Sequence, residues 1–324
     1  MRYGLPYKGS KNQIAKWIID VLPSADVFCD LFFGGGAVTH RAMLTDKYKR
    51  FVINDIDARL PKLFVDCAYG KHTVENHPEW ITREEFNARK HDDVYIALVW
   101  SFGNNGKDYL FGNNIEEMKH AYHDAVYLNE PERLKLYGFD IPKSDIQDVY
   151  ERYLEFNRQV KKQAPNIQLE VITRQMEIER LQSLQSLQSL QSLQSLQSLQ
   201  SLQSLQSFGV DYQDVPVPKN SLIYCDIPYT GTNCGKYQGF DHERFYEWAV
   251  KQENIFISEY QMPGDFIPFA QRQKTVLSAS NGNSNKANEM IYTNKKTYES
   301  FSDEQKRDIE MRFAKQITLF EMGA

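Results

Sequence analysis

The sequence predicts an α/β protein, a Rossmann-like sheet with an inserted, mostly helical region. Three observations carry this expectation. Val27-Phe28-Cys29-Asp30 is a short apolar strand that passes through Leu31-Phe32-Phe33-Gly34-Gly35-Gly36 into a helix from Ala37 to about Leu44. A second strand, Phe51-Val52-Ile53-Asn54-Asp55, ends in an acid about 25 residues after Asp30, where a Rossmann-like unit commonly holds ribose hydroxyls. A third apolar run, Leu222-Ile223-Tyr224-Cys225, has turn-formers on both sides and ends in Asp226-Ile227-Pro228-Tyr229.

Before the first strand, Tyr7-Lys8-Gly9-Ser10-Lys11 is a polar, glycine-containing loop that opens a helix. Ile14, Ile18 and Leu22 recur at near-helical spacing, and Pro23 closes it. The glycines after Asp30 let backbone approach a ligand without an intervening Cβ. Their string is not Gly-x-Gly-x-x-Gly, which counts against a nicotinamide or flavin cofactor. From about Glu84 the texture changes. Ser101-Phe102-Gly103-Asn104-Asn105-Gly106-Lys107-Asp108-Tyr109 mixes amides, glycines and aromatics as base- or phosphate-contacting loops do, and as plain turns also do. Lys143 to Arg180 is charged and reads as largely helical.

Leu181-Gln182-Ser183 is then repeated nine times, ending at Ser207. On an α-helix, leucines three residues apart drift by about 60° per step and spread over all faces, whereas a 3₁₀-helix aligns them in one stripe. The expectation is a helical rod, α or 3₁₀, with some leucines packed on neighbours, in a spacer or packing role. Nothing in it can catalyse.

In the late part, Pro228 cannot continue a sheet ladder, so the Asp226–Tyr229 tetrad sits in a loop at a strand's carboxyl end. There it presents a carboxylate, a backbone carbonyl and an aromatic face, an arrangement suited to an exocyclic amine beside a flat ring. Phe240 to Trp248 reads as a capped amphipathic helix. Asn254 to Ser258 and Thr275 to Ser280 read as strands, Asn281 to Asn288 as a polar turn, and Glu289 to Asn294 as a return strand. The last two strands predict an antiparallel pair closing an otherwise parallel sheet.

Composition sets the outer bounds. A chain of 324 residues suffices for one large domain or two medium ones. No apolar run approaches a membrane span, and the N-terminal residues lack a signal peptide's apolar core, so the expected location is the cytoplasm. Cys29, Cys67, Cys225 and Cys234 are widely spaced, without a Cys-x-x-Cys pair, so reduced thiols are expected and a metal site is not. The net charge of −5 is not that of a generic nucleic-acid binder, yet Lys8, Lys11, Lys16, Arg41, Lys47, Lys49 and Arg50 concentrate basic charge in the first fifty residues.

With these residues in view, the chain resembles the Dam-type, or D12 class, DNA adenine-N6 methyltransferases of bacteria and their phages. Tyr7-Lys8-Gly9-Ser10-Lys11 is similar to the family's N-terminal motif, whose aromatic and lysine help hold S-adenosylmethionine. Asp30-Leu31-Phe32-Phe33-Gly34-Gly35-Gly36 resembles its cofactor loop, and Asn54-Asp55-Ile56-Asp57 the segment whose acid binds the cofactor ribose. Asp226-Ile227-Pro228-Tyr229 corresponds to the catalytic Asp-Pro-Pro-Tyr, with Ile227 in place of the first proline. The resemblance thus implies a cofactor set of Tyr7, Lys11, Asp30, Phe32, Gly34, Gly36, Asp55 and Asp226, and a catalytic set of Asp226, Pro228 and Tyr229. It implies a catalytic domain in two parts, 1–83 and 215–324, around a target recognition region at 84–214 that includes the repeat.

The implied reaction is direct methyl transfer to N6 of an adenine flipped from double-stranded DNA. Tyr229 stacks on the base, while Asp226 and the carbonyl of the Ile227–Pro228 peptide accept the two N6 hydrogens. The implied protein works as a monomer in a bacterium or a phage-infected host, and a cognate restriction nuclease is an admissible partner. Methyl transfer to cytosine N4 or RNA adenine is the nearest alternative. A non-catalytic DNA-binding protein derived from a methylase is the alternative from another class.

Overall fold

The computed structural model describes residues 3–163, 174–188, 190, 202–230, 239–277 and 284–321. Among these, the strands are β1 (Val27–Asp30), β2 (Arg50–Asn54), β3 (Leu205–Phe208), β4 (Ser221–Asp226), β5 (Ile255–Glu259), β6 (Phe266–Leu277) and β7 (Ser284–Asn294). They form a single sheet in the order β3-β2-β1-β4-β5-β7-β6. β3, β2, β1, β4 and β5 run parallel, and β7 and β6 close the sheet antiparallel. The predicted Rossmann-like sheet is therefore present, with its antiparallel end.

The helices are α1 (Ala15–Val21), α2 (Ala37–Met43), α3 (Arg59–Ala68), α4 (Arg83–Arg89), α5 (Val94–Val99), α6 (Glu116–Leu128), α7 (Val149–Gln163), α8 (Met176–Gln185), α9 (His242–Ala249), α10 (Lys295–Glu299) and α11 (Asp303–Glu321). No helix among the described residues is long and apolar enough to cross a membrane. The chain packs as two units. One comprises residues 1–13, 34–40 and 62–194; the other, residues 14–33, 41–61 and 195–324.

The second unit contains the whole sheet. Val27, Cys29, Val52, Ile223, Cys225, Ile255 and Ile257 point to one face and pack with Phe245 and Ala249 of α9. On β1 and its neighbours, alternate residues Phe28, Phe51 and Tyr224 join Tyr48 in an aromatic cluster. Central parallel strands are covered on both faces, which is why they read as continuous apolar runs. α9 starts at Asp241, whose carboxylate accepts the Arg244 N–H as an N-cap.

The first unit is mainly helical. Its α4 begins with a capping box formed by Thr82 and Glu85, and α5 is capped by Asp93. Buried Arg152 on α7 donates to the carbonyls of Val126 and Ile146, fixing α7 against the end of α6.

Three expectations need correcting. The late strand expected at Thr275–Ser280 begins at Phe266; residues 278–283 lie outside the described ones. The earlier part was missed because Pro268 interrupts it and Gln271-Arg272 are polar. Pro268 is accommodated because β6 is an edge strand with a register shift between Pro268 and Ala270. The return strand expected at Glu289 begins at Ser284, so 284–288, read as part of a polar turn, are paired with β6.

The repeat is not one rod. Its first residues, Leu181–Gln185, complete α8, and Ser186–Gln188 form a 3₁₀ turn. Its last triplet opens strand β3, paired in parallel with β2 from Phe51↔Leu205 to Asn54↔Phe208. Leu181, Leu184, Leu187, Leu190 and Leu202 are buried, so these leucines are core residues. Ser189 and residues 191–201 lie outside the described residues. One triplet thus adopts three backbone states, each set by what its leucine packs on or what its backbone pairs with.

Candidate active site

In this sheet order the chain turns from β1 toward β2 on one side and places β4 on the other. β1 and β4 therefore flank the topological switch point, where open α/β sheets bind ligands beyond the strands' carboxyl ends. Acids stand at that edge on consecutive strands. Asp55 follows β2, Asp30 ends β1, Asp226 ends β4 and Glu259 ends β5. Asp30, Asp55 and Glu259 are buried, and Asp226 is half-buried. Three of the four were expected from sequence. Glu259 was missed, although its signature, an acid closing an apolar strand, is the one that marked Asp226.

The edge is held open by a buried amide. Asn54 donates from Nδ2 to the carbonyls of Leu31 (3.2 Å) and Val210 (3.0 Å), and its Oδ1 accepts the Val210 N–H at 3.1 Å. The Phe33 N–H donates to the Asn54 carbonyl at 2.9 Å. This one side chain ties the loop after β1 to the segment after β3. Asp55 accepts the Asp57 N–H at 2.9 Å, which bends the chain after β2. Phe32 packs with Tyr212, Phe240 and Phe245 at ring separations of 5.3 to 5.6 Å.

The tetrad leaves β4 as expected. Ile227 is buried in the core beneath the sheet edge, so the residue standing in place of the family's first proline is an apolar anchor. His242 Nε2 lies 2.8 Å from the Pro228 carbonyl, an acceptor, so the ring donates there. Tyr229 donates its hydroxyl to Glu289 Oε1 at 2.6 Å and meets the Tyr260 ring edge-on at 4.5 Å. Burial, then the charges of Asp226 and Glu289, pushes the Tyr229 phenol well above its ordinary range, so it remains a donor at any working pH. Glu289, buried on β7, was also missed, because it is 60 positions away in sequence from the tyrosine it holds.

Glu259 lies beside the tetrad. Its Oε1 accepts the Thr230 N–H at 3.3 Å, and the backbone N–H groups of Tyr260 and Gln261 also point to the carboxylate. Among the described residues its buried Oε2 has no hydrogen-bond partner. Burial first, and then the neighbouring Asp226 charge, pushes its carboxyl up to about 7 against the pull of the three N–H donors.

The other expected residues belong to the first unit. Gly34 and Gly36 have φ of +50° and +66°, a conformation that disfavours a Cβ. The space above Gly34 and Gly35 is taken by the N-terminal segment: a Cβ on Gly35 would stand 2.7 Å from the Tyr7 Cβ. The Leu5 N–H donates to the Gly35 carbonyl at 2.7 Å, and the Gly4 N–H to His40 Nδ1 at 3.0 Å. Burial lowers the His40 pKa to about 4, so it stays a neutral acceptor there. The glycines therefore serve chain-on-chain packing, which seats Tyr7 on the loop. Lys11 is buried nearby in the same segment.

Among the described residues no group of three or more His, Cys, Asp or Glu side chains is arranged to hold a metal ion. The profile of the D12 class N6 adenine-specific DNA methyltransferases matches residues 7–309, from the N-terminal Tyr7 to beyond the last sheet strand. No curated protein matches the chain. That match covers nearly the whole chain, including the strand ends and the tetrad, and the chain belongs to the D12 class of N6 adenine-specific DNA methyltransferases.

Proposed function

We propose that the protein transfers a methyl group from S-adenosylmethionine to N6 of an adenine flipped out of double-stranded DNA. The observation that carries this reading is the position of Asp226-Ile227-Pro228-Tyr229: it leaves the strand beside the switch point, with Asp226 at the sheet edge. The donor set there fits the cofactor, since Asp30 and Asp55 supply carboxylates for ribose hydroxyls and an ammonium group. When bound, the cofactor supplies a methyl group already activated on a sulfonium. Asp55 binds the ribose, with Asp30, Phe32 and Asp226 at the same sheet edge; Tyr7, Lys11, Gly34 and Gly36 of the first unit enter the cofactor set on the resemblance of their motifs alone.

The chain's own work is positioning. Asp226 accepts one N6 hydrogen and the Ile227 carbonyl the other, which turns the nitrogen lone pair out of conjugation with the ring. The Pro228 carbonyl is engaged by His242 and does not compete for the same amine. Tyr229, tethered by Glu289, offers its ring face to the base. No covalent intermediate on the protein is needed. The proton leaves N6 after the new C–N bond forms, and Asp226 is the nearest acceptor in this reading. The test is mass-spectrometric detection of N6-methyladenine after incubation of purified protein with S-adenosylmethionine and unmethylated genomic DNA. Methylated cytosine in place of adenine would overturn the base assignment.

Asp55→Ala is expected to raise KM for S-adenosylmethionine by about ten-fold or more with kcat nearly kept, because a ribose contact is made equally in ground and transition states. Steady-state kinetics at saturating DNA checks this; a change confined to DNA affinity removes Asp55 from the cofactor set.

Target recognition falls to the region 84–214, with the Ser101–Tyr109 loop as its contact element. Ser101 and Tyr109 form a bridge that closes the loop. Buried Arg180 on α8 donates to the Val99 and Ser101 carbonyls and fixes its base. Gly103 and Asn104 turn with positive φ, leaving Phe102 63% exposed. The repeat carries no charge for phosphate contacts. Removing Leu193 to Ser198, two triplets outside the described residues, leaves the same sequence at both docked ends. That deletion is expected to preserve folding and methyl transfer; circular dichroism and the same mass assay decide, and loss of either would make triplet number a structural requirement.

A further inference from the structure

Resting on the methyltransferase reading above, we infer that Glu259 is a positioning residue for the transfer step, its carboxylate tethering the backbone that follows the catalytic tetrad to the end of β5. The geometry is local and specific. β4 and β5 are parallel neighbours, with Asp226 opposite Ser258. Glu259 is the next residue after Ser258, is 1% exposed, and receives the N–H of Thr230, the residue immediately after Tyr229. Tyr224 and Ser258, one residue before Cys225 and Glu259 respectively, share a hydroxyl contact of 2.8 Å across the same strand pair. The tetrad is thus held at two points from the same flank of β4: Tyr229 by Glu289 on β7, and Thr230 by Glu259 on β5.

An acid is an unusual choice for such a tether. Burying a carboxylate costs free energy unless it is hydrogen-bonded or paired, and an amide would accept the same N–H. The difference lies in charge. The backbone groups around Glu259 are all donors, those of Thr230, Tyr260 and Gln261, so the ionised form is the one they complement. A proton on this carboxyl weakens that set and loosens Thr230. The ionised form also places a second negative charge near Asp226, favourable to the positive charge that N6 carries between methyl transfer and proton loss.

The titratable groups facing Glu259 are Asp226 from β4, Tyr246 from α9 and Tyr292 from β7. Burial raises both tyrosines, which stay neutral through the neutral range. With its carboxyl pushed up to about 7, Glu259 changes charge in a range where the two tyrosines stay neutral. The sign follows: transfer should speed up as pH rises through about 7 and slow as the carboxylate is protonated below it.

The experiment is single-turnover methyl transfer from labelled S-adenosylmethionine to unmethylated genomic DNA, between about pH 5.5 and about pH 8.5, for wild type and Glu259→Gln. The wild-type rate is expected to show a rising limb centred near 7. In Glu259→Gln that limb disappears, and the rate at the alkaline end falls about ten-fold with cofactor affinity kept within about two-fold. A variant that keeps the wild-type limb, or the wild-type rate at high pH, overturns the inference and leaves the methyltransferase reading intact. A wild-type protein that transfers no methyl group overturns both. If Glu259→Gln does not fold, Glu259→Asp carries the test, since it keeps the charge but shortens the reach. Its limb is expected to remain while its plateau falls at least about five-fold; an unchanged plateau overturns the tether.

Discussion

Asp226→Ala is expected to reduce methyl transfer by at least about a hundred-fold, with cofactor affinity weakened but measurable. The carboxylate ends β4 at the switch point and acts mainly on the base. Removing one preorganised hydrogen-bond partner in a transition state costs roughly 3 kcal/mol. Asp226→Asn grades the effect: an amide oxygen still accepts one N6 hydrogen but brings no charge, so its rate should fall between the two. Single-turnover rates paired with calorimetric titration of S-adenosylmethionine separate chemistry from binding. Near-normal turnover of Asp226→Ala would remove the tetrad from the reaction.

Gly4→Ala is expected to damage both folding and cofactor binding. Gly4 has φ of +72°, and an added Cβ would stand 2.3 Å from the Gly35 carbonyl oxygen and 2.6 Å from the Ala37 nitrogen. Both neighbours are backbone, so relief requires the N-terminal segment to lift from the glycine loop. The left-handed backbone alone costs about 1–2 kcal/mol, and the contact adds to it. Lifting the segment moves Tyr7 and Lys11 together, so affinity for S-adenosylmethionine should fall by more than about ten-fold, more than for either side chain removed singly. Thermal unfolding and calorimetry provide the two readouts. A normal cofactor affinity in a folded Gly4→Ala protein would show that Tyr7 and Lys11 are not cofactor residues.

The missed residues show where local reading stops. Asp226 announces itself because Pro228 and Tyr229 follow it. Glu259 follows an equally apolar strand, but Tyr260-Gln261 after it look like an ordinary polar exit, and its significance comes from Thr230 on the neighbouring strand's loop. Glu289 reads as one polar residue in a late strand until Tyr229 reaches it. Asn54 was seen as the residue before an acid, whereas its amide bonds Leu31 and Val210, the latter 156 positions away.

The sequence by itself determined the parallel core, the glycine turn, the order of the motifs and the acids at three strand ends. These are encoded by short-range patterns: apolar runs of strand length, turn residues on either side, and a proline that ends the ladder. The tertiary structure decided what identical or bland stretches became. Leu-Gln-Ser is helical where α8 continues, a 3₁₀ turn just beyond it, and a strand where β2 offers an unpaired edge. Intrinsic preferences among these states differ by only about 1 kcal/mol per residue. Burying a leucine is worth more than that, so the neighbour and not the triplet sets the outcome. The same holds for Glu259, whose proton affinity is a property of the β4–β5 edge that encloses it.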